Sequence, residues 1–274
     1  MTRSGGESRF VSRGGVRLHY VVAGHGPTLI LIHGIPDFWN GWRYQIAHFR
    51  NDYRVVAVDL RGVNLSDKPT GVSAYRISEL VRDTVAVIDD LGLERASIIG
   101  HDWGAIIGWW TAILAPARVE RLAALSAPHP VCYVIAKEQG DIYNSPDYLA
   151  QMIEAAPGDA FDARWMSLWV ADPIARAELE AALLRSDVES LRNFYRANQL
   201  DQSVRLARIP PVAAPVLAMY GTEDRLVSRE AYEQSAIHVT GKFLSIAIPE
   251  AGHFLHQEAA GRVNGELQTW LETH

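Results

Sequence analysis

With 274 residues, 48% of them hydrophobic and 21% charged, the chain can build one sizeable core, or one domain carrying an insertion. A formal net charge of −6 and the lack of any basic run argue against nucleic acid and anionic membrane surfaces as partners. One cysteine, Cys132, excludes an internal disulfide framework, and "MTRSGGESRFVSRGG" has no signal-peptide apolar region, so a cytoplasmic protein without a membrane span is expected.

The opening segment "RFVSRGGVRLHYVVAG" alternates apolar and polar residues on either side of Gly14 and Gly15, which predicts an antiparallel hairpin. Six continuous apolar runs follow, at 28–34, 53–60, 96–100, 121–128, 215–221 and 243–249. Continuous rather than alternating apolarity predicts strands buried on both faces, as in a parallel sheet covered by helices. After the second run, "ISELVRDTVAVIDDLGL" gathers Leu80, Val81, Thr84, Val85, Ile88 and Leu91 on one helical face, with Gly92 as C-cap. The strand–helix rhythm then stops between residues 128 and 210. "PDYLAQMIEAAPGD", "ARWMSLWVADP" and "ARAELEAALLRSDVESLRNFYRANQ" are helical in pattern there. The expected fold is therefore α/β, a doubly wound, mostly parallel sheet. Residues 1–128 and 210–274 form its core domain, and 129–209 a helical cap over the carboxyl ends of the strands, where open α/β sheets place ligands.

Three motifs stand at predicted strand ends. "GHDWGA" sets Asp102 between Gly100 and Gly104, the small–x–nucleophile–x–small pattern of a sharp strand-to-helix turn. Such a turn leaves no room for side chains two residues either side of its apex, and it lifts the apex side chain to a helix N-terminus that favours an anion. "LIHGIPDFW" follows the first long strand, and its Ile35 amide, with that of Trp103, can form an oxyanion hole. "YGTEDRLV" and "EAGHFLH" end the last two strands with Asp224 and His253. Nucleophile, acid, base is the chain order of a hydrolase triad.

These motifs resemble the α/β-hydrolase superfamily and, within it, the epoxide hydrolase branch, which is related to haloalkane and haloacetate dehalogenases. "HGIPDFWNGWRYQI", "DLRGVNLSDKP" and "GHDWGA" carry the resemblance over nearly the whole chain. It departs at Ile35, where an aromatic residue is usual, and at Asn64, where glycine is frequent. An apex carboxylate suits this branch, because with a reference pKa near ~3.9 it is already an anion that can attack sp³ carbon. The resemblance implies an alkyl ester on Asp102, hydrolysed by water that His253 activates and Asp224 orients. It also implies two cap tyrosines that donate to the epoxide oxygen. "LRNFYRANQL" matches the second, Tyr195. The segment matching the first, "ARWMSLWVADP", holds Trp165, Met166 and Trp169 and no tyrosine, which leaves Tyr133, Tyr143 or Tyr148 as substitutes.

The expected function is opening of epoxides to vicinal diols. A haloalkane or haloacetate dehalogenase is the alternative, disfavoured because "LSAPHP" offers no carboxylate and Trp103 stands where haloacetate enzymes carry an arginine. A ligand-binding relative without turnover would not need His253. The expected substrate contacts are His33, Pro36, Trp103, Trp165, Met166 and Trp169. His101 is read as packing in the elbow, His256 as a supporting or surface group, Trp109 and Trp110 as core, and Arg61 and Asp67 as loop residues bonding the backbone. No metal-ligand spacing and no phosphate-binding glycine loop occur, so no cofactor is expected. The partner is a small-molecule epoxide or alkyl halide, and a homodimer is one assembly the chain allows.

Overall fold

Gly14 and Gly15 take φ of +56° and +82°, values open to glycine, and turn β1 (Glu7–Arg13) back onto β2 (Val16–Ala23) with Arg13 opposite Val16. The computed structural model that shows this hairpin describes residues 6–140, 152–154, 162–199 and 208–273. β2 runs antiparallel to β4 (Arg54–Val58), and from there the sheet is parallel. β3 (Thr28–Ile32), β5 (Ala96–His101), β6 (Val119–Leu125), β7 (Val216–Gly221) and β8 (Phe243–Ile248) complete eight strands in the order β1-β2-β4-β3-β5-β6-β7-β8. Each predicted run holds a strand. Every residue of β3, β5 and β7 is buried, which accounts for their unbroken apolarity.

The chain leaves β3 for β4 on one side and later returns to β5 on the other. The strand order reverses at this point, and the carboxyl ends of β3 and β5 frame a crevice. α1 (Arg43–Phe49) packs on β4 and on the last helix (Ala260–Thr273), while α2 (Ile77–Asp90) and α3 (Trp103–Leu114) pack against each other. In α2 Leu80, Val81, Thr84 and Ile88 are buried as expected, and the buried face extends to Asp83 and Val87 while Val85 and Leu91 are only half-buried. Gly92 ends the helix at φ +70°. Among the described residues, no helix is long and apolar enough to cross a membrane.

Between β6 and β7 lie α4 (Pro130–Gln139), α5 (Ala163–Ser167), α6 (Pro173–Arg185) and α7 (Val188–Ala197). Asp162, Asp172 and Asp187 cap the last three by accepting amides of the first turn. The segment "ARAELEAALLRSDVESLRNFYRANQ", helical in pattern, forms two helices, since Asp187 adopts extended φ/ψ and accepts the Ser190 amide at 2.9 Å. The pattern "PDYLAQMIEAAPGD" lies largely outside the described residues, as do Tyr143 and Tyr148.

Side chains from both sides tie α7 to the core. The Tyr75 hydroxyl donates to Ser190 Oγ at 2.5 Å, and the Asn198 side chain bonds both the Tyr75 carbonyl and the Ile77 amide. Asn64 sits at φ +46°, a conformation asparagine tolerates almost as glycine does. Its amide donates to Asp59 and its oxygen accepts from Arg185 of α6, so the asparagine adds a tether that glycine could not. In the same loop Arg61 places its guanidinium mainly on the Asp83 carboxylate, rather than on the backbone alone as expected, although it also reaches the Ala74 carbonyl. Asp67 does accept a backbone amide, that of Arg17.

Candidate active site

β5 ends at His101, α3 begins at Trp103, and Asp102 between them is held at φ +52°, ψ −119°. That is strained for any residue with a side chain. The two flanking glycines make the turn possible. A Cβ at Gly100 would lie 2.2 Å from the Gly104 carbonyl oxygen, and one at Gly104 1.9 Å from that of Ile32. Gly34 serves the same end across the crevice, since a Cβ there would fall 2.5 Å from Asp102 Oδ1.

Asp102 therefore projects between two loops. The Ile35 amide donates to its Oδ1 at 2.9 Å, and His253 Nε2 stands 3.5 Å from its Oδ2. On the far side of the ring, His253 Nδ1 donates to Asp224 Oδ2 at 2.9 Å. Asp224 is buried, and its other oxygen accepts the Leu226 amide. Ile35 acts here through its backbone, which is why an aliphatic side chain can replace the usual aromatic one. Trp103 opens α3, so its amide is among those a helix start leaves without a partner of its own.

The charges are coupled. Burial by itself would lower the His253 imidazole, but the carboxylates of Asp102 and Asp224 outweigh it and push it up to about 10. Burial would likewise raise Asp102, but His253 above all, with the Ile35 amide, holds it below its ordinary value. At neutral pH the resting pair is a carboxylate facing an imidazolium.

A cavity of about 760 Å³ opens above this group. Ile35, Pro36, Asp102, Trp103 and His253 form its floor, and Tyr133, Trp165, Met166, Trp169 and Tyr195 line it from the helices between β6 and β7. The Tyr195 ring meets Trp103 edge-on, 5.1 Å between centroids. Met166 is buried, Trp165 is 60% exposed at the cavity wall, and Trp169 stacks on Phe254. His33 does not line the cavity. It is fully buried behind the loop, accepting the Leu60 amide on Nε2 and donating from Nδ1 to the Gly34 carbonyl, so it shapes the turn rather than contacting substrate. His256, expected as a supporting or surface group, is buried against Trp42 and His101. It lies 3.7 Å from Asp37, whose carboxyl burial pushes up to about 6.

Two groupings carry no signal in sequence spacing. Ser126 and Phe254 also line the cavity, Ser126 at a left-handed φ of +56°. Elsewhere, His129, Cys132 and His238 bring ligand-type atoms within 4.8 Å of one another. The two imidazoles stack with planes 8° apart, and His129 Nδ1 accepts the Val131 amide. Parallel rings do not aim their in-plane lone pairs at a common point, so the group packs as a helix cap rather than a ready chelate.

Eight mostly parallel strands, an apex acid on a strained elbow and a hydrogen-bonded acid–histidine pair define an α/β hydrolase, and residues 27–260 match the family model described as alpha/beta hydrolase fold. The chain belongs to that family. Its branch is that of the epoxide hydrolases. It is 44% identical to Epoxide hydrolase 1 of Caenorhabditis elegans, covering 98% of this chain and 71% of the relative. With Epoxide hydrolase 4 of Homo sapiens the identity is 31%, over 94% of this chain and 76% of the relative. The crystal structure of Bacillus megaterium epoxide hydrolase with an inhibitor superposes with a TM-score of 0.85 at 27% identity, covering 97% of this chain and all of that one.

Proposed function

We infer that the chain hydrolyses small-molecule epoxides to vicinal diols through a covalent ester on Asp102. The observation that carries the mechanism is the placement of one carboxylate between the Ile35 amide at 2.9 Å and a histidine 3.5 Å away that is itself held by Asp224. Asp102 Oδ2 attacks a ring carbon, forming a C–O bond while the ring C–O bond breaks. Tyr195, beside Trp103 on the cavity wall, gives its proton to the departing alkoxide. Tyr133 is the other tyrosine on that wall among the described residues, and it takes the place of the first cap tyrosine that "ARWMSLWVADP" lacks.

Esterification removes the Asp102 charge and so lowers the affinity of His253 for its proton. Tyr195, left as the phenolate, regains a proton through solvent while His253 releases its own, so the charges balance over the first half-reaction. Neutral His253 then takes a proton from water as the hydroxide adds to the ester carbon. The developing oxyanion is Oδ1, facing the Ile35 and Trp103 amides. Collapse returns the proton to the diol and frees Asp102. Residues 129–209 act as the cap that closes the cavity, over a core of 1–128 and 210–274.

The covalent route leaves an isotopic trace. Single turnover in H₂¹⁸O puts the first ¹⁸O into the Asp102 carboxylate and none into the diol, read by peptide mass mapping. Label in the diol after one turnover would make Asp102 a general base acting on water instead.

Tyr195→Phe is expected to slow ring opening by about 10²–10⁴-fold, the range for a positioned acid. Decay of an ester already formed should change far less, because no alkoxide of the ring is released in that step. Stopped-flow alkylation rates check this. An unchanged rate would pass the role to Tyr133.

A further inference from the structure

We propose that His101 and Ser126 are positioning residues for the second half-reaction, jointly holding the backbone carbonyl of His253 and through it the water-activating imidazole. The inference rests on the reading of Asp102 as nucleophile and His253 as base. His101 Nε2 donates to the His253 carbonyl at 2.8 Å, and Ser126 Oγ donates to the same oxygen at 2.8 Å. Both side chains are buried, and they come from the carboxyl ends of β5, which carries the elbow, and of its neighbour β6. His253 itself stands on a loop after β8 and has no regular structure to fix it.

Two further features make this arrangement look built for the purpose. Ser126 holds a left-handed φ of +56°, a conformation that costs a non-glycine residue and that ends β6 with its hydroxyl turned to the His253 loop. The His101 ring is wedged among His253, Phe254 and His256 at centroid distances of 4.9, 5.2 and 4.3 Å. Donating from Nε2 fixes the neutral tautomer, and burial, with His256 and His253 nearby, keeps the ring from taking a second proton. The donor is therefore constant over the working pH range. Glu258 completes the frame from the solvent side by accepting the Gly252 and Phe254 amides.

With its carbonyl and its Nδ1 both anchored, the His253 ring has one way to present Nε2. Loosening the carbonyl leaves the Asp224 contact as a pivot and lets Nε2 swing from the ester carbon. Misplacement of about 1 Å can cost around 10²-fold in a positioned reaction. Asp102 attacks without a base, so the first step should not feel the change.

The test is single-turnover rapid quench with intact-mass detection of the ester, on wild type, His101→Phe, His101→Gln and Ser126→Gly. Phenylalanine keeps the ring bulk and loses the donor, glutamine restores a donor, and glycine removes the hydroxyl at a φ that suits it. Expected are alkylation rates within about threefold of wild type in all three variants, ester hydrolysis slowed about 10- to 100-fold in His101→Phe and Ser126→Gly, and recovery towards wild type in His101→Gln. Equal loss of both steps, or hydrolysis at the wild-type rate in both donor-less variants, overturns the proposal. If His101→Phe does not fold, Ser126→Gly decides by the same criteria. Wild type without any ester would instead refute the nucleophile reading, while wild-type ester with an unchanged step ratio in the variants refutes the positioning role alone.

Discussion

His253→Gln should stop the enzyme with its substrate attached. The Asp102 carboxylate needs no proton removed before it attacks, and its carboxyl is held below the ordinary range in the resting site. Loss of the imidazolium leaves the burial of Asp102 opposed chiefly by the Ile35 amide, so its carboxyl rises, but it starts from a reference value of ~3.9, about three units below neutral pH. Alkylation therefore continues, while hydrolysis loses its base, and turnover falls by about 10⁴-fold, the upper end for general-base removal. Intact-protein mass spectrometry should show a gain equal to the whole epoxide, mapped to Asp102. A haloalkane handled by the same residue would add its mass less that of HX, so one measurement also separates the two chemistries. Absence of any adduct with a substrate that wild type turns over would exclude the ester.

The same variant has a signature in stability. The folded pKa of His253, about 10, lies above its unfolded value of 6.5, so its pairing contributes stability that is complete below 6.5 and fades as pH rises through 10. Asp102 has the opposite sign, contributing above 3.8 and losing its share as pH falls. The stability gap between wild type and His253→Gln should therefore narrow from pH 6.5 towards pH 10. Chemical denaturation across that window measures it.

Asp102→Ala should be inactive, with kcat down by about 10⁴- to 10⁶-fold, the scale on which losing a nucleophile removes the covalent route. The fold should survive, because the side chain faces a cavity and packs against no core layer. Alanine inherits the strained φ of +52°, whereas glycine does not. Asp102→Gly, equally dead, should be more stable than Asp102→Ala by about 1–2 kcal/mol, which reports the strain stored at the elbow. Retention of more than a few per cent of wild-type activity by either variant would remove Asp102 from the role.

Much of this was written locally. Runs of apolar residues became strands buried on both faces, Gly14 and Gly15 turned the hairpin, and Gly100 and Gly104 marked the elbow because their carbonyl neighbours leave no space for Cβ. Asp102, Asp224 and His253 could be picked out because each follows a strand, and strands of a parallel sheet deliver their carboxyl ends to one edge. Periodicity did not reveal the break at Ser186, where a capping side chain competed with helix continuation, nor the preference for Val87 over Val85, which depends on the angle at which α2 meets its neighbours.

Local rules thus determined which residues make strands, where the chain must turn sharply and which side chains reach the strand ends, since sterics and side-chain period act over a few residues. Only the tertiary structure decided what those side chains meet. His33, adjacent to the oxyanion loop in sequence, is turned away from the cavity by the Leu60 amide, and the carbonyl of His253 is held by His101 and Ser126 from two other strands. Such partners are set by sheet order and loop packing between segments far apart in the chain, and hydrogen-bond partners at that separation leave no periodic trace in sequence.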